Sequence, residues 1–117
     1  MSAESAVYAA LSGAAAVTAL VSTRIYPDTR EQETDLPAVI FVRTGTAFEV
    51  DIHGAVDLTR TTVAVISFAL TRAGAEALAD ACQAALLAAR MTPSERLSDF
   101  DPESESYSST LVIEHLA

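Results

Sequence analysis

At Thr71 the hydrophobic period of the chain changes. Across residues 58–70, Ala64, Ile66, Phe68 and Leu70 alternate with Thr61, Val63, Val65 and Ser67. Beyond Thr71, Ala75, Leu78, Ala79, Cys82, Ala85, Leu86 and Ala89 recur at helical spacing. A period of two marks a strand and a period near 3.6 marks a helix. The chain must therefore hold a long strand that feeds directly into an amphipathic helix. Thr71 is placed to cap that helix, Arg90 suits its C-terminal dipole, and Pro93 stops any continuation. One side of the strand is wholly apolar and the other is mixed, which fits a sheet with helices on one face. The wholly apolar side is expected in the core. The mixed side, with Val63 and Val65, is still apolar enough to meet a neighbouring subunit.

The remaining elements are shorter. Ser2 can cap a first helix, with Glu4 in its first turn and Val7, Tyr8 and Leu11 at helical spacing. Gly13 weakens it, and Val17, Leu20 and Val21 continue the pattern, so one kinked helix or two short ones are expected. Residues 24–26 read as a brief strand ended by Pro27, and 28–35 as an acidic loop. Pro37 opens a β-branched and aromatic strand over 38–44. Residues 45–57 read as a long hairpin loop and 94–105 as a polar, acidic loop. A last strand spans 107–116, with Tyr107, Leu111 and Ile113 on one face. This order predicts a single domain over residues 1–117, of the α+β class. Its sheet is mainly antiparallel, of about four strands, with two helices packed on one face. The core is expected to rest on Phe41, Ile66, Phe68, Leu78, Leu86 and Ile113, since a large buried side chain contributes roughly 1.5–3 kcal/mol and Ala far less.

Composition excludes several classes. The formal net charge is −9 and the chain contains no Lys. The charge argues against a basic nucleic-acid surface, and the absence of Lys excludes a Schiff-base lysine and a phosphate-gripping P-loop lysine. The acids cluster between periodic segments: Asp28, Glu31, Glu33 and Asp35; Glu49, Asp51 and Asp57; and Glu95, Asp99, Asp101, Glu103 and Glu105. Cys82 is the sole cysteine, so no intrachain disulfide forms, which fits an intracellular setting. Residues 5–23 carry no charge, but Ala, Ser, Thr and Gly dominate them and no basic residue precedes them. They read as a soluble helix rather than a leader or membrane span. The run 99–105 alternates acids but lacks the central Gly of a calcium loop. His53 and His115 have no companion ligands at metal-binding spacing. Gly45, Gly54 and Gly74 are single punctuation residues, and no nucleophile elbow is present. No catalytic, cofactor or metal site is expected. Arg43 and Arg60, like Arg24 and Arg72, adjoin element ends. They are expected to pair with nearby loop acids or with acids of a neighbouring subunit.

The arrangement Arg24-Ile25-Tyr26-Pro27, then Leu36-Pro37, then Phe41, set between a leading helix and the strand, helix and strand that follow, resembles the tail-terminator or tail-completion proteins of long-tailed bacteriophages and gene transfer agents. The resemblance runs from the first helix to the last strand. It implies an α+β structural protein without cofactor or catalysis. Such proteins form a homo-oligomeric ring, commonly a hexamer, at the head-proximal end of the tail tube, where they stop tube growth and dock the head connector. Self, the tube protein and a connector or stopper protein would be the partners, with DNA passing through unbound, no membrane involved, and the virion tail as location. Within such a ring Val63, Val65, Arg43 and Arg60 are interface candidates. Glu49, Asp51 and Asp57 are candidates for a lumenal or mobile loop. A cytoplasmic α+β ligand-binding or regulatory module is the alternative. An acid/base enzyme ranks lowest, because the acids fall on three separate loops.

Overall fold

The periodicity change falls where the sequence places it. Thr71, two residues past the end of the long strand, caps the helix that follows, its hydroxyl accepting from the Gly74 amide at 3.0 Å. The computed structural model describes residues 3–27, 37–50, 54, 56–102 and 105–116. Its elements are α1 (Ala3–Ser12), α2 (Ala15–Val21), β1 (Ile25–Pro27), β2 (Ala38–Val50), β3 (Val56–Ala69), α3 (Arg72–Ala88), β4 (Pro93–Asp101) and β5 (Ser106–Leu116). The sheet order is β1-β2-β3-β5-β4. β1 pairs parallel with β2 and the other neighbours pair antiparallel.

The α+β class and the largely antiparallel sheet stand, with a fifth strand and a third helix added. The helix break at Gly13 is sharp, since α1 and α2 meet at 82°. No single helix among the described residues is long and apolar enough to cross a membrane. The expected loop over 94–105 is largely strand: β4 pairs with β5 from Pro93 to Asp101. An edge strand needs only one partner, and its charged side chains protect the open edge, so a polar sequence reads as loop. The expected loop over 45–57 is mostly hairpin, with Gly45 to Val50 paired against Val56 to Thr62. Residues 43–48 are all exposed. A strand pair that projects beyond the helices has solvent on both faces and loses the alternation that signals burial.

The largest correction concerns which face of β3 is inside. Val63, Val65 and Ser67 are wholly buried against the helices, while Ile66 and Phe68 lie half-buried on the opposite face. The core joins Val7 and Leu11 of α1, Val17 and Val21 of α2, Val39 and Phe41 of β2, Leu78, Cys82 and Leu86 of α3, and Leu111 and Ile113 of β5. Small residues explain the choice. Ser67 and Ser109 are buried on the helix side, where α3 presents Ala75, Ala79 and Cys82. The Ser67 hydroxyl donates to the Cys82 sulfur at 3.8 Å. Small groups on both surfaces let the helix sit close to the sheet, and bulky Ile66 and Phe68 would hold it off.

α3 ends in a Schellman motif: the Met91 amide bonds Leu86 O at 2.8 Å and the Arg90 amide bonds Leu87 O at 3.0 Å. Met91 is thereby delivered into the core, and Arg90 adopts φ of 64°. At the other end of the sheet, Arg24 Nε donates to Pro37 O at 2.9 Å, and Arg24 O accepts from the Val39 amide at 3.0 Å. Arg24 and Pro37 thus join the starts of β1 and β2 and set their parallel register.

Candidate functional site

All three helices pack on one face of the sheet. Among the described residues no helix covers the other. Strand registers align Tyr26, Ile40, Ile66, Thr110 and Leu97 in one row across all five strands. Val42, Ala64 and Val112 form the next row, ending at Glu95, and Ala38, Phe68 and Ser108 another, ending at Asp99. Ala38 and Ile40 are buried in place, whereas Leu97 is 51% exposed. The result is an apolar band rimmed by acids along β4. Sequence reading missed Leu97 and this rim. The available signal was the alternation of Glu95, Leu97 and Asp99 against Arg96, Ser98 and Phe100.

The second surface is the β2–β3 hairpin. A register shift between Arg43 and Gly45 moves the strand past Thr44, so that side-chain parity reverses beyond it. Phe48, three residues after Gly45, is 61% exposed. With a radius of gyration of 15.0 Å and a long dimension of 51 Å, the subunit is more extended than a compact chain of its length, for which roughly 13 Å is usual.

The interface candidates separate. Val63 and Val65 are 0% exposed within the subunit core, so they are closed to a neighbour. Arg43 Nε lies 3.3 Å from Glu4 of α1, and Arg60 Nε lies 3.8 Å from Glu114 of β5. Both arginines thus meet acids of their own chain, and on regular elements rather than on loops. Glu49 and Asp57 stand on the backbone of β2 and β3, Asp51 and His53 fall outside the described residues, and so do the acids of 28–35. Arg72 stacks over the Tyr107 ring at 5.0 Å.

Arg96, unremarked in sequence, makes the densest polar network. Its guanidinium reaches Asp80 at 2.7 Å, Gln83 at 3.2 Å and Glu76 on α3, while its Nε donates to Ser109 at 3.3 Å. The bond to Asp80, with the charge of Glu76, raises its pKa further. Arg96 therefore ties edge strand β4 to α3 from the helix side.

Chemistry has little foothold here. Among the described residues no three of His, Cys, Asp and Glu converge as a metal site. Burial pushes the Cys82 thiol up to about 11, against the smaller opposing effect of the Ser67 hydroxyl, which suits a packed core group and not a nucleophile. An open groove of about 730 Å³ runs between α1, the end of α3 and β5, lined by Ala6, Ala9, Ala10, Arg90, Met91 and His115 among others. A smaller apolar depression of about 250 Å³ lies at the opposite end, beside the start of α3.

One of the comparisons names a family. A family model described as "Tail completion protein gp17" matches residues 5–111. No curated protein matches the chain. Among solved structures, a chain of the "Virion of native gene transfer agent (GTA) particle" superposes with a TM-score of 0.75 at 23% identity. That match covers 96% of this chain and 91% of the other.

Proposed function

The chain belongs to the tail completion protein gp17 family, and from that premise we propose that it forms a homo-oligomeric ring, of six subunits, at the head-proximal end of a phage-like tail tube. There it stops tube polymerisation and joins the tail to a head connector or stopper protein. Its role is structural and non-catalytic, and its place is the virion tail. The observation that carries this reading is the apolar row that no described helix covers, running from Ile66 through Thr110 to the 51% exposed Leu97 of edge strand β4. A lone subunit leaves Leu97, Ile66 and Phe68 at least partly in water, and a neighbour or the tube end would cover them. A closed ring needs two different patches per subunit, and the sheet face and the projecting hairpin supply two. The fold shared with a chain of a gene transfer agent virion supports the same assignment.

Net charge −9 suits a passage for DNA, because a negative lining does not hold phosphates. Glu49, Asp51 and Asp57 are the acids proposed to border it. Arg43 and Arg60, both partly exposed beside their own-chain acids, are available to acids of the next subunit as well.

The test is growth of tail tubes in vitro. Purified tube protein polymerising from an initiator should stop when this protein is added at a few copies per tube. Tubes that lengthen at an unchanged rate in its presence would overturn the terminator role.

A further inference from the structure

The two margins of the sheet are unequal. β1 closes one with three residues, the last of them Pro27. β4 forms the other, and among the described residues it pairs with β5 alone. Pro93 has no amide hydrogen to offer, and the register shifts between Pro93 and Glu95. From Glu95 to Asp101 the pairing with β5 runs unbroken. In an antiparallel pair, alternate residues turn their amide and carbonyl away from the partner strand. Those groups line the outer side of β4 over seven residues, Glu95–Asp101, roughly 23 Å, and among the described residues no other strand meets them. An open ladder of this length is a template for another strand.

The side chains select the strand. On the face away from the helices β4 presents Glu95, Leu97, Asp99 and Asp101, all exposed. Their partners on β5 are Val112, Thr110, Ser108 and Ser106, none of them charged. Among the described residues neither Glu95 nor Asp99 meets a cation, and Asp99 bonds only the adjacent Phe100 amide, at 2.8 Å. Arg96, the one cation of the strand, lies on the helix side, bound to Glu76 and Asp80. Glu95 and Asp99 are four positions, roughly 13 Å, apart, so no single metal ion joins them. An added strand does, because its alternate side chains come within about 5 Å of Glu95, Leu97 and Asp99. The complement is basic, apolar and basic at every second position. A second copy does not supply it, since the chain has no Lys and no two of its seven arginines lie closer than six positions apart. Two β4 edges would set acid against acid.

We infer that the outer edge of β4, from Glu95 to Asp101, receives an extended strand of a different protein, one with two basic side chains flanking an apolar one at every second position. The backbone ladder supplies the affinity, and the acids set the partner, because the charges that repel another copy of this chain attract a basic strand. This deepens the joining role: that the partner is a tail or head protein rests on that reading. The sheet face and the hairpin stay free for contacts between copies.

Amide hydrogen exchange on the intact chain tests the edge. The probe is a seven-residue peptide in which Arg, Val and Arg alternate with Thr. Its order reads the same in both directions, so it serves parallel or antiparallel addition. At millimolar peptide, the β4 amides that exchange fast in the free protein should slow at least about 10-fold, and those already bonded to β5 should not change. The same peptide with Glu in place of both Arg should protect nothing. A chain carrying Glu95→Lys and Asp99→Lys, both exposed positions, should melt like the natural protein and reverse the two results. Unchanged β4 exchange with the Arg peptide, or equal protection by both peptides, would overturn the proposal. In a producing strain the double variant should fail to give joined tails of natural length. Normal joined tails carrying it would overturn the edge and leave the ring reading intact. The peptide result needs no ring, so failure of the natural protein to stop tube growth would overturn the terminator role alone.

Discussion

Single residues carry two devices that measurements can isolate. Arg90 occupies the left-handed position after α3, with φ of 64°, where glycine pays no steric penalty. Arg90→Gly should raise stability by about 1 kcal/mol, or roughly 4 °C in melting temperature, by calorimetry. Cys82 offers a pH signature. Its thiol titrates near 11 when folded, against 9.0 for the free group, because burial disfavours the thiolate. Below pH 9 both states hold the proton and nothing is gained or lost. As pH rises through 9 to 11 the unfolded chain ionises first, so folding stability falls, by on the order of 2–3 kcal/mol. Urea unfolding across that window should show a steeper loss for the natural protein than for Cys82→Ala. Equal slopes would mean that the thiol is open to water.

At the scale of elements, some parts hold the fold and others reach outward. Arg96 belongs to the first group: Arg96→Ala should cost about 1–2 kcal/mol, and the difference from the natural protein should shrink in molar salt, since its carboxylate partners are substantially exposed. Hydrogen exchange should report the loosening in β4 before β5. The hairpin belongs to the second group. Replacing residues 47–60 with Asn-Gly joins Thr46 to Thr61 by a tight turn and removes no residue of the core cluster. Melting should move by less than about 3 °C while tail joining fails in complementation. A collapse of the fold would show that the hairpin is structural. These elements also mark what the sequence could and could not disclose. α3 was legible because its stripe is one-sided, and so were the central strands, whose runs are apolar. The inward face of β3 was not, because both faces are apolar and the choice between them rests on the size of Ser67, Ser109, Ala75 and Ala79 at the contact with α3. β4 and the hairpin read as loops in sequence because charge and two-sided solvent hide a strand's alternation. Arg24 and Pro37 stood out in sequence, but only the parallel β1–β2 register explains them.

For the whole molecule, function lies in surfaces and not in a pocket. The helices close one face of the sheet, no described helix covers the other, and the chain is 51 Å in its longest dimension. Such a subunit is asymmetric end to end, as a closed ring of identical parts requires. A net charge of −9 would keep the proposed ring from holding the DNA it is proposed to admit. The central claim is that this protein ends the tail tube and joins it to the head. Electron microscopy of particles from a producing strain lacking the gene tests it most directly. The account predicts overlong or headless tails, restored to uniform joined tails when the natural protein is supplied. Normal, joined tails of natural length in its absence would contradict it.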